Sequence, residues 1–588
     1  MRLQKYVEAM QPGWNLGNTF DALGEETAWG NPKTTREMID FVAQSGFKSL
    51  RLPVTWGHRM GEAPDYRIDP AFLERIREVV DWALDAGMMV LLNMHHDSHW
   101  IYHMDQRHDA ILDQFRAAWV QIADYFKEYP DSLLFEGINE PRFSDDWGEN
   151  KPEYYTWLEE LNLAFYEIVR NSGGNNDNRP LMLTTVAGSY DQPRMEALVR
   201  TIKSLQDPNI IATVHYYGSW AFSTNIGGNL TFNDGDAAKE SVDECFDRIY
   251  QTLVAEGIPT VLGEFGLFGF HRRMCSVEHG EVLKFFEYTL EGAKKRHMPI
   301  MLWDDGYHLN RTACQWNDPS IIDLIMASRD GRSSTAFTDT VYIRRGSPVQ
   351  PVEIPLQLNG NMLLGVQCGD SLLTEGKDYQ LTQEDTLVLS AELLESLAGL
   401  MSEKDCGTAA TLSCAFSAGP NWKIEVIVYE PVQLYNTEGT VQNFAIPAAY
   451  NGDRLATMEA VYPDGGNAGP AAWTPFKEFN AMFWPDYAGG QIHLTEGFFQ
   501  ECQDGEIALR FHFWGGGITE YLLTKNQEII TGRAIPETVG NTLPAVVPSE
   551  EKIQSKNSKK RKIILGGALG AAAAATGLAV WLLKRKKK

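Results

Sequence analysis

From residue 12 to residue 328 the chain alternates short apolar runs with longer amphipathic ones. The short runs are Gly13–Gly17, Phe47–Pro53, Met88–Met94, Leu133–Ile138, Leu181–Val186, Ile210–His215, Thr260–Phe265 and Ile300–Trp303. Continuous apolar stretches of this length read as strands buried on both faces. Helical periodicities fall between them, near 34–45, 70–86, 109–128, 153–171, 192–204, 237–256 and 277–297, with a last one near 319–328. Strand followed by helix, eight times, predicts an α/β domain built as a closed parallel (β/α)8 barrel, the TIM-barrel type. The rival is an open doubly wound sheet, but no glycine-rich phosphate loop follows the first run.

The pattern changes after Arg344-Arg345. Ser347 to Pro351 reads as a stiff linker, and helical periods mostly vanish beyond it. Ile354–Leu358, Thr386–Leu389, Ala410–Phe416 and Ile424–Tyr429 read as strands between turns, with a short helix near Leu393–Leu400. A second β-rich stretch, 434 to 535, is dense in Gly and aromatics. The expected division is a barrel over 1–345, an immunoglobulin-like sandwich over 346–433, a second all-β module over 434–535 and a disordered linker over 536–562. Ile563 to Leu583 is uncharged, long enough for a bilayer and flanked by Lys and Arg, so a C-terminal transmembrane helix is expected. Basic residues on both sides leave its orientation open.

Composition narrows the function. A formal charge of −26 argues against nucleic acid and suits a neutral ligand. Seven scattered Cys with no CxxC spacing give no metal site, and no cofactor is expected; a Cys406–Cys414 bridge is the one pairing weighed. No signal-peptide core opens the chain. A shortened start explains that, as does a cytosolic tail-anchored protein; the first is favoured, with the protein displayed at the cell surface on its membrane helix as a monomer.

In such a barrel every strand C-terminus points to one rim, where the site forms. That rim carries Asn18, Arg51, His95-His96, Asn139-Glu140, His215 with Tyr217, Glu264, and Trp303. Glu140 and Glu264, on the fourth and seventh strands, stand on roughly opposite sides of an eight-strand ring. Two carboxyl groups flanking a bond are what glycoside hydrolysis needs. Arg51 and Tyr217 are placed to hold Glu264 ionised, His215 to tune Glu140, Asn139 to meet a sugar hydroxyl and Trp303 to floor a sugar ring. Spacing alone leaves the stereochemistry open.

Gly137-Ile138-Asn139-Glu140-Pro141, Leu262-Gly263-Glu264-Phe265-Gly266 and His215-Tyr216-Tyr217 resemble glycoside hydrolase family 5. The opening Gly13-Trp14-Asn15-Leu16-Gly17-Asn18-Thr19-Phe20 and Glu26 to Pro32 are similar to its subfamily 4 endo-β-glucanases. The resemblance implies a retaining endo-β-1,4-glucanase acting on cellulose-like, mixed-linkage or xyloglucan chains, with Glu140 as acid/base and Glu264 as nucleophile. It carries Arg51, His95, Asn139, His215, Tyr217 and Trp303 as supporting residues. Asn18, Trp29, His96 and Trp100 are further sugar-contact candidates. Residues 434–535 resemble a family 46 carbohydrate-binding module, with Trp473, Trp484 and Trp514 as candidates against the alternative of a sandwich core. A β-mannanase on the same barrel and a non-catalytic glycan-binding protein are the alternatives.

Overall fold

The computed structural model describes residues 2–268, 276–402 and 404–535. Eight strands, β1 (Gly13–Leu16), β2 (Ser49–Leu52), β3 (Met89–Asn93), β4 (Leu133–Glu136), β5 (Leu181–Thr184), β6 (Ile210–Tyr216), β7 (Thr260–Phe265) and β8 (Ile300–Asp304), pair in parallel and in chain order, β8 returning to β1 to close the barrel. Nearly every strand residue is buried, because the helices cover the outside and side chains fill the inside. Some of the helices begin where a short polar side chain caps them. Thr35 accepts from Met38 N–H ahead of Arg36–Gln44, and Asp69 accepts from Ala71 N–H ahead of Pro70–Asp85, where Pro70 sits in the first turn.

One helix has no counterpart in the expected pattern. Arg2–Glu8 plugs the N-terminal mouth of the barrel, packing Leu3 and Val7, with Met10 just beyond it, onto Leu91, Leu134, Met182, Ile211, Val261 and Met301. The floor is therefore apolar and closed, and chemistry is left to the opposite rim.

The second unit begins before the Pro-rich stretch. Thr335–Ala336 and Thr340–Arg344 already belong to its two sheets, the latter pairing in parallel with Trp422–Tyr429. Those sheets, of four and five strands, enclose Ile354, Leu387, Leu389, Leu412, Ile424 and Val426, and Ala391–Ala398 is the short helix. The third unit pairs another four-stranded and five-stranded sheet around its own core, including Phe444, Phe483, Phe498, Phe511 and Tyr521. Trp473, Trp484 and Trp514 are absent from that core; Trp473 is 69 % exposed and Trp484 37 % exposed.

Two expectations need correction. Among the described residues no helix is long and apolar enough to cross a membrane; the longest, Met104–Phe126, buries one face and leaves the other polar. The expected span 563–583 and linker 536–562 lie outside the described residues, so the transmembrane helix, the membrane anchor and the surface display argued from it are not supported. Cys406 and Cys414 are both free thiols.

Candidate active site

Strand β7 delivers Glu264 through an irregularity. Its register against β6 shifts between Val214 and His215, and against β8 between Leu262 and Phe265. Such a bulge re-aims one side chain. Gly263 makes it sterically feasible, since a Cβ there would stand 2.4 Å from Thr213 Oγ1. His215 and Glu264 thereby become cross-strand partners.

Arg51, wholly buried on β2, organises the floor of the rim. Its Nη1 donates to Glu264 Oε1 (2.8 Å) and Asn15 Oδ1 (2.9 Å), its Nη2 to Asn139 Oδ1 (2.7 Å) and Glu136 Oε1 (2.8 Å), and its Nε to Glu136 Oε2 (2.7 Å). Tyr217 donates its phenol proton to Glu264 Oε2 at 2.7 Å. Burial alone would raise the Glu264 pKa. The charges of His215 and Arg51 and the bonds from Tyr217 and Arg51 outweigh it and hold the carboxyl below its ordinary range.

Glu140 lies four residues beyond the end of β4. Asn139 N–H donates to Met94 O (2.8 Å) and Ala187 N–H to Pro141 O (2.7 Å), which fixes the turn. His215 Nδ1 is 2.7 Å from Glu140 Oε1 and 3.5 Å from Glu264 Oε2. Burial pushes the His215 pKa down, but the Glu264 charge and the bond and charge of Glu140 together carry it above 6.5. The Glu140 side chain is 18 % exposed against 6 % for Glu264, so Glu140 faces the cleft and Glu264 its floor. One oxygen from each lies within 4.8 Å of the other.

His95 and Trp303 form the adjoining wall, stacked with ring centroids 5.6 Å apart and planes 8° from parallel. Asn93 Oδ1 accepts from Val54 N–H, so its NH2 meets His95 Nδ1 at 3.1 Å, and the Asn139 NH2 stands 3.5 Å from His95 Nε2. Burial first, then the His96, Arg51 and His215 charges, lower the His95 pKa well below 6.5 and keep the ring neutral. Trp303 fits because residue 17 is glycine; a Cβ there would stand 2.6 Å from its ring. His96 packs edge-on against His95 (4.5 Å) and touches Trp29 (5.4 Å). Asn18 holds the β1 end, its backbone N–H bonded to Asp21 Oδ2. Trp100 is turned aside, its Nε1–H bonded to Asp97.

Residues 15–308 match the family model described as cellulase (glycosyl hydrolase family 5). The chain is 46 % identical over 535 residues to endoglucanase B of Paenibacillus lautus, covering 90 % of this chain and 94 % of that one. The chain belongs to glycosyl hydrolase family 5. The tri-modular endo-β-1,4-glucanase B of Bacillus halodurans superposes with a TM-score of 0.88 at 47 % identity, covering 91 % of this chain and 99 % of that one. A tri-modular family 5, subfamily 4 endo-β-1,4-glucanase from Bacillus licheniformis, solved with cellotetraose, gives 0.76 at 28 % identity, with coverages of 91 % and 99 %. Residues 335–426 match carbohydrate binding domain X2, which is what the comparison gives for the unit expected to be immunoglobulin-like. Residues 430–533 match the CBM46 carbohydrate binding domain.

In this family 5 chain the third unit leans on the catalytic rim. Asn225, in the loop after β6, donates to Ser276 O (2.7 Å) and to Ala456 O (2.8 Å), and its carbonyl accepts from Phe479 N–H (3.3 Å). Gly227 and Gly228 lie under Trp473 and Phe476, where a Cβ would come within 3.1 Å of either ring. The rim also holds groups to which the sequence reading gave no role. Asn15 donates to Gly263 O (3.0 Å) and Met301 O (3.1 Å). Asp304 accepts from Trp14 Nε1–H and from the backbone of Gly306, His308 and Leu309. Glu136 grips Arg51. The visible signal for Glu136 was an acid inside an otherwise apolar run, where an unpaired carboxylate is too costly to tolerate.

Proposed function

We propose that the chain is a retaining endo-β-1,4-glucanase acting on cellulose-like, mixed-linkage or xyloglucan polysaccharides by double displacement. Glu264 attacks the anomeric carbon while Glu140 gives its proton to the leaving glycosidic oxygen. A covalent glycosyl-enzyme forms and the reducing-end fragment departs. Glu140, now ionised, takes a proton from water, which displaces Glu264 and releases a product of retained configuration. The observation that carries this reading is the approach of Glu140 and Glu264 to within 4.8 Å. Retaining enzymes keep their carboxyls about 5–5.5 Å apart, whereas inverting ones leave about 6.5–9.5 Å for a water.

The supporting roles follow from the geometry. Arg51 and Tyr217 keep Glu264 ionised and oriented. His215, 2.7 Å from Glu140 Oε1, orients that carboxyl toward the glycosidic oxygen. Asn139 gives its carbonyl to Arg51, which turns its NH2 toward His95 Nε2 at the foot of the cleft, from where its second proton can meet a sugar hydroxyl. Trp303, backed by His95, offers a flat ring for a pyranose, and Trp29, His96 and Asn18 extend the same wall along a glucan chain.

The test is reducing-sugar release from carboxymethyl cellulose, lichenan, xyloglucan and mannan, followed by Glu264→Ala with azide. Release from the glucans, its loss in the variant and an α-glycosyl azide product, formed by single displacement through the space Glu264 leaves, are incompatible with other assignments of the nucleophile. Wild-type activity in Glu264→Ala, or faster turnover of mannan, would refute the reading.

A further inference from the structure

Glu136 is a titratable group for which the proposed reaction has no use. It is wholly buried, so neither substrate nor solvent reaches it. It nevertheless takes two of the five N–H donors of Arg51. The other three go to Asn139, Asn15 and Glu264. A guanidinium has five donors, and here each has its own acceptor oxygen. The fork cannot turn without abandoning a buried donor.

The charges do not balance so evenly. One buried cation serves two buried carboxylates, Glu136 and Glu264. Were Arg51 paired with Glu264 alone, its whole charge would stabilise the carboxylate that has to attack. A carboxylate stabilised in that way is a weaker base and a weaker nucleophile. The bidentate grip of Glu136 draws part of that charge away. It also locks the guanidinium plane, so that Nη1 still meets Glu264.

We propose that Glu136 is a positioning residue of the hydrolytic reaction: by sharing the Arg51 guanidinium it keeps the ionised Glu264 nucleophilic. The inference rests on the assignment of Glu264 as nucleophile. It acts through Arg51 and needs no contact with the sugar. The distinction matters because a merely structural buried ion pair would affect folding without moving the titration of Glu264.

Two variants separate these cases. Glu136→Gln keeps the shape and removes the charge; Glu136→Asp keeps the charge. Both are assayed on an aryl β-cellobioside from pH 3 to pH 9, with thermal unfolding measured beside each. In Glu136→Gln, kcat falls about tenfold or more with KM changed less than about threefold, and the acid limb of kcat/KM moves about one unit to lower pH, as expected when a nearby anion is lost. In Glu136→Asp the acid limb stays at its wild-type position. An unmoved limb in Glu136→Gln, with activity lost only as folded protein is lost, overturns the inference. A limb moved to higher pH overturns it as well, since Arg51 would then have released Glu264. If the unaltered protein cleaves no aryl cellobioside or β-glucan, the hydrolase reading itself has failed. If it cleaves them and the limb does not move, only the role of Glu136 has.

Discussion

His215 Nδ1 sits 2.7 Å from Glu140 Oε1. Burial lowers the pKa of the ring, but the Glu264 charge and the bond and charge of Glu140 carry it above the ordinary 6.5, so the imidazolium proton is held more tightly than in a free histidine. For stability the sign is fixed: a raised histidine pKa contributes below about pH 6.5 and is lost as pH rises through the folded value. For activity, the alkaline limb of kcat/KM reports loss of that proton. His215→Asn should move this limb to lower pH and narrow the bell. A limb left in place would detach His215 from the acid.

Glu264 gives the opposite sign. Its folded pKa is depressed against an ordinary 4.5. It contributes stability above about pH 4.5, which is lost as pH falls through the folded value. Tyr217→Phe removes one of the bonds that depress it, so the acid limb should move to higher pH while the fold survives. Nuclear magnetic resonance of a Glu-labelled sample would follow the carboxyl directly, and an unshifted resonance would contradict the assignment.

Leaving-group chemistry tests Glu140. Glu140→Ala should lose on the order of a hundredfold or more on cellulose oligomers, the usual scale for a general acid. On aryl glycosides with acidic phenols, which need no proton, the loss should be far smaller. Equal losses on both classes would mean that Glu140 is not the acid.

Gly17→Ala tests the cleft wall. The added methyl would meet the Trp303 ring at 2.6 Å, and neither β1 nor β8 can give way cheaply. The indole should tilt off His95 at a cost of about 1–3 kcal/mol. Affinity for cello-oligosaccharides should weaken while the aryl-glycoside acid limb stays put. Unaltered oligosaccharide affinity would show that Trp303 does not face the sugar.

How far such a site can be foreseen depends on what each residue does to the hydropathy pattern. Glu264 and Glu140 stood out because acids at the tips of apolar runs are expensive unless used. The eight strands stood out because parallel strands covered on both faces are apolar throughout. Glu136 did not, since it ends β4 from inside the run and its justification, Arg51, is 85 residues away in sequence. The helix Arg2–Glu8 was also invisible, having only seven residues and two buried apolar positions, Leu3 and Val7, to mark it. Thr340–Arg344 was assigned to the barrel because the conspicuous prolines come after it. Its true partner, Trp422–Tyr429, lies across the whole second unit.

The clamp on Asn225 gives the molecule a history as well as a shape. The loop following Tyr217 is tied to Ala456 and Phe479, more than 200 residues later in the chain. At about 5–20 residues per second of synthesis, those partners emerge roughly ten to fifty seconds after Asn225 does. The barrel strands are all made by then, and the loop beside the nucleophile is the part still waiting. A part of the third unit made well after the barrel thus sets the loop beside Glu140 and Glu264, so a chain that stops before it would carry both carboxylates and still lack a finished rim.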